Sequence, residues 1–257
     1  EDTLTFEESA DGLSRFDLST VNGDVRIEGT DGDAIRIVAS RVVRSTDEAK
    51  GAAYREEFRP ILTRDGASLI VKTHYHDEGE QTPSHVKEAK MAYEVWLPAR
   101  FEVAAKTVNG RVEIEGTHDD VVLHTVNGEL SFVTDEAVSG GVHGKTVNGS
   151  ITVDAPGLSD DSQLETVNGS IEVRAEDAVA GLRVKTLNGS IDLTVPGDAA
   201  FDLYGKVGMH GSIDTPWGKP ESKRRRFGAS YETSVNGGGG DVRLETFNGS
   251  VAVHTAD

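Results

Sequence analysis

Three groups of side chains in this 257-residue chain have the types and spacing that chemistry uses. His74 and His76 are two apart, so a strand would place both on one face, with Asp77, Glu78 and His85 close by. Imidazoles and carboxylates so grouped can hold a divalent metal. No second element with ligand spacing points at them, so the expectation is solvated histidines at a strand end, without metal or cofactor. Lys219, Lys223, Arg224, Arg225 and Arg226 form a basic cluster between Trp217 and Phe227. It reads as a solvated loop or as a contact for an anion or an acidic partner, with the two aromatic rings adding area. The glycines at 237–240 have the composition of a phosphate cradle, but Asp241, Val242, Arg243 and Leu244 continue as strand where a phosphate loop needs a helix.

Nucleophile arrangements are absent. Ser150, Ser170 and Ser190 each follow a glycine, but none sits in a Gly-x-Ser-x-Gly elbow. Carboxylates are too numerous for one acid/base pair to be singled out. No catalytic, cofactor-binding or metal-binding residue is assigned, and a non-enzyme is expected.

Composition removes further classes. Asp and Glu number 44 against 26 Lys and Arg, a formal charge of −18 that disfavours binding to nucleic-acid phosphates. With no cysteine, disulfide and thiolate–metal scaffolds are excluded. No apolar run approaches the roughly 20 residues of a membrane-spanning helix. The chain starts at Glu1 with no apolar leader, which reads either as a signal peptide removed or as an N-terminus trimmed.

The elements that must carry any site come from a repeat. TVNGDVRI starts at Thr20, TVNGRVEI at Thr107, TVNGELSF at Thr125 and TVNGSITV at Thr146. TVNGSIEV follows from Thr166, TLNGSIDL from Thr186 and TFNGSVAV from Thr246. Degenerate copies start at Val207 and Ser234. From Asn109 to Asn188 the steps are 18 to 21 residues, which suits one turn of a solenoid and is too short for a propeller blade. The predicted corners are Asn22-Gly23, Asn109-Gly110, Asn127-Gly128, Asn148-Gly149, Asn168-Gly169, Asn188-Gly189 and Asn248-Gly249.

Asn-Gly between alternating strands also signals a hairpin. A hairpin would put the apolar residue before each Asn on the polar face and Glu165 opposite Glu172. A corner with a one-residue parity shift lets Leu164, Val167, Ile171 and Val173 all point inward, with glycine and asparagine adopting a φ that other residues resist. Asn side chains would form one ladder and Thr hydroxyls a second. The slot before the corner, holding Lys106, Glu165 and Lys185 with His124 and His143 nearby, reads as surface.

The fold class expected is therefore all-β: a single β-solenoid over 1–257, with irregular N-terminal coils over 1–100 and regular repeats over 101–257. A short helix over 46–59, followed by Pro60, and an exposed mobile loop over 76–90 form an insertion between coils.

The TVNGxIxV repeats, the early helix, the Leu97-Pro98 lead into the tandem copies and the terminal glycine-rich copy together resemble one family. It is the "putative adhesin" family of bacterial envelope β-strand-repeat proteins, a domain of unknown function. More distantly they resemble head-domain adhesin-like proteins with a Gly-Ile-Asn motif. The resemblance implies a β-solenoid in an extracytoplasmic protein of the periplasm or cell surface, and supplies no catalytic residues. The functional expectation is an envelope-associated binding or scaffold protein whose partner is an envelope protein or a polysaccharide. A carbohydrate-active enzyme on a β-helix and a self-assembling solenoid stacked end to end are the alternatives.

Overall fold

Val, Ile, Leu and Thr at alternate positions favour strands, because branched side chains fit a pleated surface whose successive residues face opposite ways. A computed structural model describes residues 1–75, 82–159, 161–208, 211–218 and 228–256. Its first elements are β1 (Asp2–Ser9), β2 (Arg15–Ser19), β3 (Val25–Thr30), β4 (Ala34–Ser45), α1 (Glu48–Glu57), β5 (Arg59–Asp65), β6 (Ser68–His74) and β7 (Val86–Pro98). The central repeats supply β8 (Glu102–Lys106), β9 (Val112–Glu115), β10 (Val121–His124), β11 (Leu130–Val133), β12 (Val142–Lys145), β13 (Ile151–Leu158), β14 (Ser162–Asn168) and β15 (Ile171–Val179). The chain ends with β16 (Leu182–Asn188), β17 (Ile191–Pro196), β18 (Phe201–Val207), β19 (Ile213–Asp214), β20 (Ala229–Val235), β21 (Gly240–Asn248) and β22 (Val251–Ala256).

These strands form two sheets of eleven. Sheet I runs β1-β4-β7-β3-β9-β11-β13-β15-β17-β22-β19, and sheet II runs β20-β18-β21-β16-β14-β12-β10-β8-β2-β6-β5. Each clear repeat gives sheet II the strand before its Asn-Gly and sheet I the strand after it, so those two strands do not pair as a hairpin. Neighbouring repeats pair parallel and in register. Val184 stands between Leu164 and Leu244, and Ile171 between Ile151 and Ile191. The inward side chains of both sheets join in one apolar core. Parallel sheets covered on both faces read as unbroken apolar runs. Here the outer faces meet solvent, and the alternation survives.

The repeat at Thr20 packs against the one at Thr107. β2 pairs with β8, β3 with β9, and Asn22 bridges to Asn109, 87 residues away. The intervening chain completes one end of both sheets. β1 and β4 pair antiparallel, as do β4 and β7, and β5 and β6. Arg41 is buried there, paired with Asp2 and donating to the carbonyls of Arg55 and, at 2.8 Å, Phe58. The helix is shorter than the expected 46–59, because Asp47 caps its start by accepting from the Lys50 amide at 3.0 Å. The loop expected over 76–90 is partly strand: residues 86–90 belong to β7 and pair with β4, and 76–81 lie outside the described residues.

At the other end, sequence order and spatial order separate. β21 and β22 insert between β16–β17 and β18–β19. The chain passes one position beyond the growing edge, returns through the antiparallel β20, and fills the gap with its final repeat. The degenerate copy at Ser234 is therefore no corner joining the sheets. Its Asn236 takes a positive φ of 47° in a turn within sheet II and donates to the carbonyls of Gly197 and Ala199.

Candidate functional site

Each corner is built from Thr, an apolar residue, Asn and Gly. The Asn side chains of all seven clear copies form one continuous ladder. From Asn248 back through Asn188, Asn168, Asn148, Asn127 and Asn109, each Nδ2 donates to the Oδ1 of the next asparagine towards Asn22, which ends the ladder as an acceptor, at 2.7–2.9 Å. The threonines do not form the second ladder expected of them. They are buried, and from Thr107 onward each Oγ1 donates at 2.8–3.1 Å to the carbonyl of the neighbouring corner glycine.

The glycines are required for a different reason than the sequence suggests. Among the seven corners only Gly23 has a positive φ. Proximity imposes the others: a Cβ on Gly110, Gly128, Gly149, Gly169, Gly189 or Gly249 would stand about 2 Å from the carbonyl oxygen of the adjacent corner glycine.

The inward set also needs correction. Leu164, Ile171 and Val173 are buried, but Val167 is 37% exposed and Thr166 takes the inward place. Strand alternation runs on through the threonine, so the apolar residue after it faces out. Thr can occupy the inward slot because its hydroxyl finds the glycine carbonyl. The consequence is an exposed apolar row, including Val21, Val108, Val147, Val167, Leu187 (46% exposed) and Phe247 (59%).

Beside this row, the residue before each threonine projects from the outer face of sheet II. There Lys145, Glu165, Lys185, Glu245 and Lys206 are register neighbours on consecutive strands. The two rows wall an open groove of about 550 Å³. Lys145 bonds Glu165 at 3.1 Å and holds its carboxyl below the ordinary carboxylate range. Lys185 and Lys206 make no direct ion pair among the described residues. Towards β8, His124 lies between Lys106 and Lys145; burial first, then those two charges, push its pKa down. Outward positions in the next row bring Arg183 beside Arg243, and the Arg243 guanidinium lies over the Tyr204 ring at 5.8 Å. The outer face of sheet II is thus rich in cations within an acidic chain. Sheet I contributes Glu28, Glu113, Glu115, Asp154, Glu172 and Asp192 to its own outer face.

The structure brings all seven predicted corners together. Arg224, Arg225 and Arg226 lie outside the described residues, as does His76. Among the described residues no three His, Cys, Asp or Glu side chains are grouped to hold a metal. His85 has a buried Nε2 with no hydrogen-bond partner among the described residues, and its carbonyl accepts from the Thr46 amide at 2.9 Å. Sequence reasoning found the surface slot of Lys106, Glu165 and Lys185. It missed that Lys206 joins the same row, because β18 carries no clear copy of the motif. It also placed the apolar wall of the groove inside the core.

No family model matches this chain, and no curated protein does. Solved structures resemble it over nearly its whole length at low identity. A "putative adhesin" from Bacteroides fragilis is 14% identical with a TM-score of 0.42, the match covering 100% of this chain and 98% of that one. Another from Parabacteroides distasonis is 12% identical with a TM-score of 0.41, covering 99% and 97%. A "putative cell adhesion protein" from Clostridium sporogenes is 10% identical with a TM-score of 0.36, covering 99% of each chain. At such TM-scores these likenesses carry no argument about function.

Proposed function

We propose that this chain is a non-enzymatic binding module, a two-sided β-solenoid of an adhesin-like protein at the bacterial envelope or surface. Its binding face is the groove on sheet II. The observation that carries this reading is the uncovered apolar row, ending at Leu187 and Phe247, beside a row of charged side chains that recurs strand after strand. Exposed apolar surface rimmed by polar groups is a mark of interaction sites, and a repeated surface suits an elongated partner. Chemistry finds little to use in the groove. A general acid needs a raised pKa, whereas that of Glu165 is lowered.

The test is an array of envelope glycans and envelope proteins probed with the intact chain. Phe247→Ser and Leu187→Ser should each weaken binding severalfold without loss of the strand signal in circular dichroism, since both side chains are exposed. Cleavage products after incubation with any of the glycans would overturn the non-enzymatic reading.

A further inference from the structure

The register of sheet II arranges lysines in a way that sequence spacing conceals. Lys72 on β6 stands opposite Ser19, and Ser19 opposite Lys106. Lys106 stands opposite His124, and His124 opposite Lys145. Then come Glu165, Lys185, Glu245 and Lys206. A lysine therefore occupies every second strand across nine, from Lys72 to Lys206, and all five are exposed. With strands about 4.8 Å apart, the lysines repeat every ~9.6 Å over ~38 Å. Their separations in sequence are unequal, so folding alone creates the period.

We propose that this row binds a linear acidic glycan carrying one carboxylate per disaccharide, lying along the groove and across the strands. This deepens the binding-module reading and rests on it. An extended β-linked disaccharide has the length of two strand spacings, so alternate uronates would meet successive lysines. Between the lysines stand Glu165 and Glu245, which repel a chain charged on every sugar. Nucleic acid, with a charge every few ångströms, is mismatched for the same reason. The apolar row beside the lysines suits the C–H faces of sugar rings. Beyond it, Asn148, Asn168 and Asn188 each spend one amide hydrogen on the neighbouring asparagine and keep one to donate to a hydroxyl. An acidic peptide in polyproline II form could match the period with about three residues per step, but its backbone amides would lie over the apolar row without partners.

The experiment is calorimetric titration of the intact chain at low salt. The ligands are a hyaluronan octasaccharide, the same oligosaccharide with its carboxylates reduced to alcohols, an oligogalacturonate of equal length, and a peptide with Glu at every third position. Hyaluronan should bind at least about tenfold more tightly than the other three, and added salt should weaken it. Lys106→Gln with Lys185→Gln, which leaves the Lys145–Glu165 pair in place and adds no like-charge neighbours, should cost about tenfold or more while the strand signal in circular dichroism is retained. Glu165→Gln with Glu245→Gln should narrow the gap between hyaluronan and oligogalacturonate. Equal binding of the carboxyl-reduced sugar, indifference to the lysine changes, or preference for the peptide overturns the proposal. If glycans bind regardless of charge and Phe247→Ser abolishes it, the lysine row fails while the binding face stands. If neither Phe247→Ser nor the lysine changes matter, both fail.

Discussion

A glycine hydrogen where any side chain would collide with a neighbouring carbonyl is the smallest feature that the corners depend on. At Gly169 an added methyl would sit 2.0 Å from the Gly149 oxygen, with backbone on both sides and no flexible group to yield. Gly169→Ala should therefore destabilise the fold by about 3 kcal/mol, at the upper end of overpacking costs, as a lowered urea midpoint. Gly197→Ala, where nothing lies within 4 Å, should change stability by less than about 0.5 kcal/mol. His124 gives a second residue-scale expectation. Burial and the charges of Lys106 on β8 and Lys145 on β12 hold its pKa below the ordinary value near 6.5. The unfolded chain then takes up the proton at a higher pH than the folded chain. Stability should fall as pH drops through about 6.5 and stop falling below the folded pKa. Urea midpoints measured against pH should show this slope in the native chain and lose it in His124→Gln.

Among the elements, the first repeat lacks an outer neighbour of its own kind, and Tyr75 replaces one. In later repeats the Asn amide donates to the carbonyl of the preceding apolar residue, as Asn109 and Asn127 do to Val21 and Val108 at 2.8 Å. At the end of the series the Tyr75 hydroxyl accepts instead from the amides of Val21 and Asn22, at 2.9 and 3.0 Å. Its ring packs on Phe58, which stacks on Tyr54 of the helix. The helix and its flanking strands are thus the closure that the ladder needs, and the reading of them as an insertion between coils misses this role. Tyr75→Phe keeps the ring and removes the acceptor. It should cost about 1–2 kcal/mol and speed hydrogen exchange at Val21 and Asn22 while leaving Asn148 and Asn168 protected.

The molecule as a whole has two sheets whose edges must avoid other copies. β5 carries Pro60, which cannot donate, and β1 carries Asp2, Glu7 and Glu8. The opposite edge of sheet I is the two-residue β19. Proline, charge and brevity each blunt a strand edge, and a net charge of −18 opposes association further. Sedimentation velocity should give a sedimentation coefficient independent of concentration. Growth into filaments at high concentration would show that these devices fail and would favour the self-assembly alternative.

From the residues alone came the all-β class, the repeat, every clear corner and the asparagine ladder, because those depend on period and local chemistry. Leu164, Ile171 and Val173 were legible as core for the same reason. The facing of Val167 was not, because side-chain parity through a corner depends on the bonds its backbone and its threonine make to the next repeat. Nor was the insertion of β21–β22 between earlier strands, since strand order is set by which edges remain open during packing. The lysine row depends on both. Lys72, Lys106, Lys145, Lys185 and Lys206 are ordinary surface residues in sequence, and only the register of parallel strands makes them neighbours at a constant step.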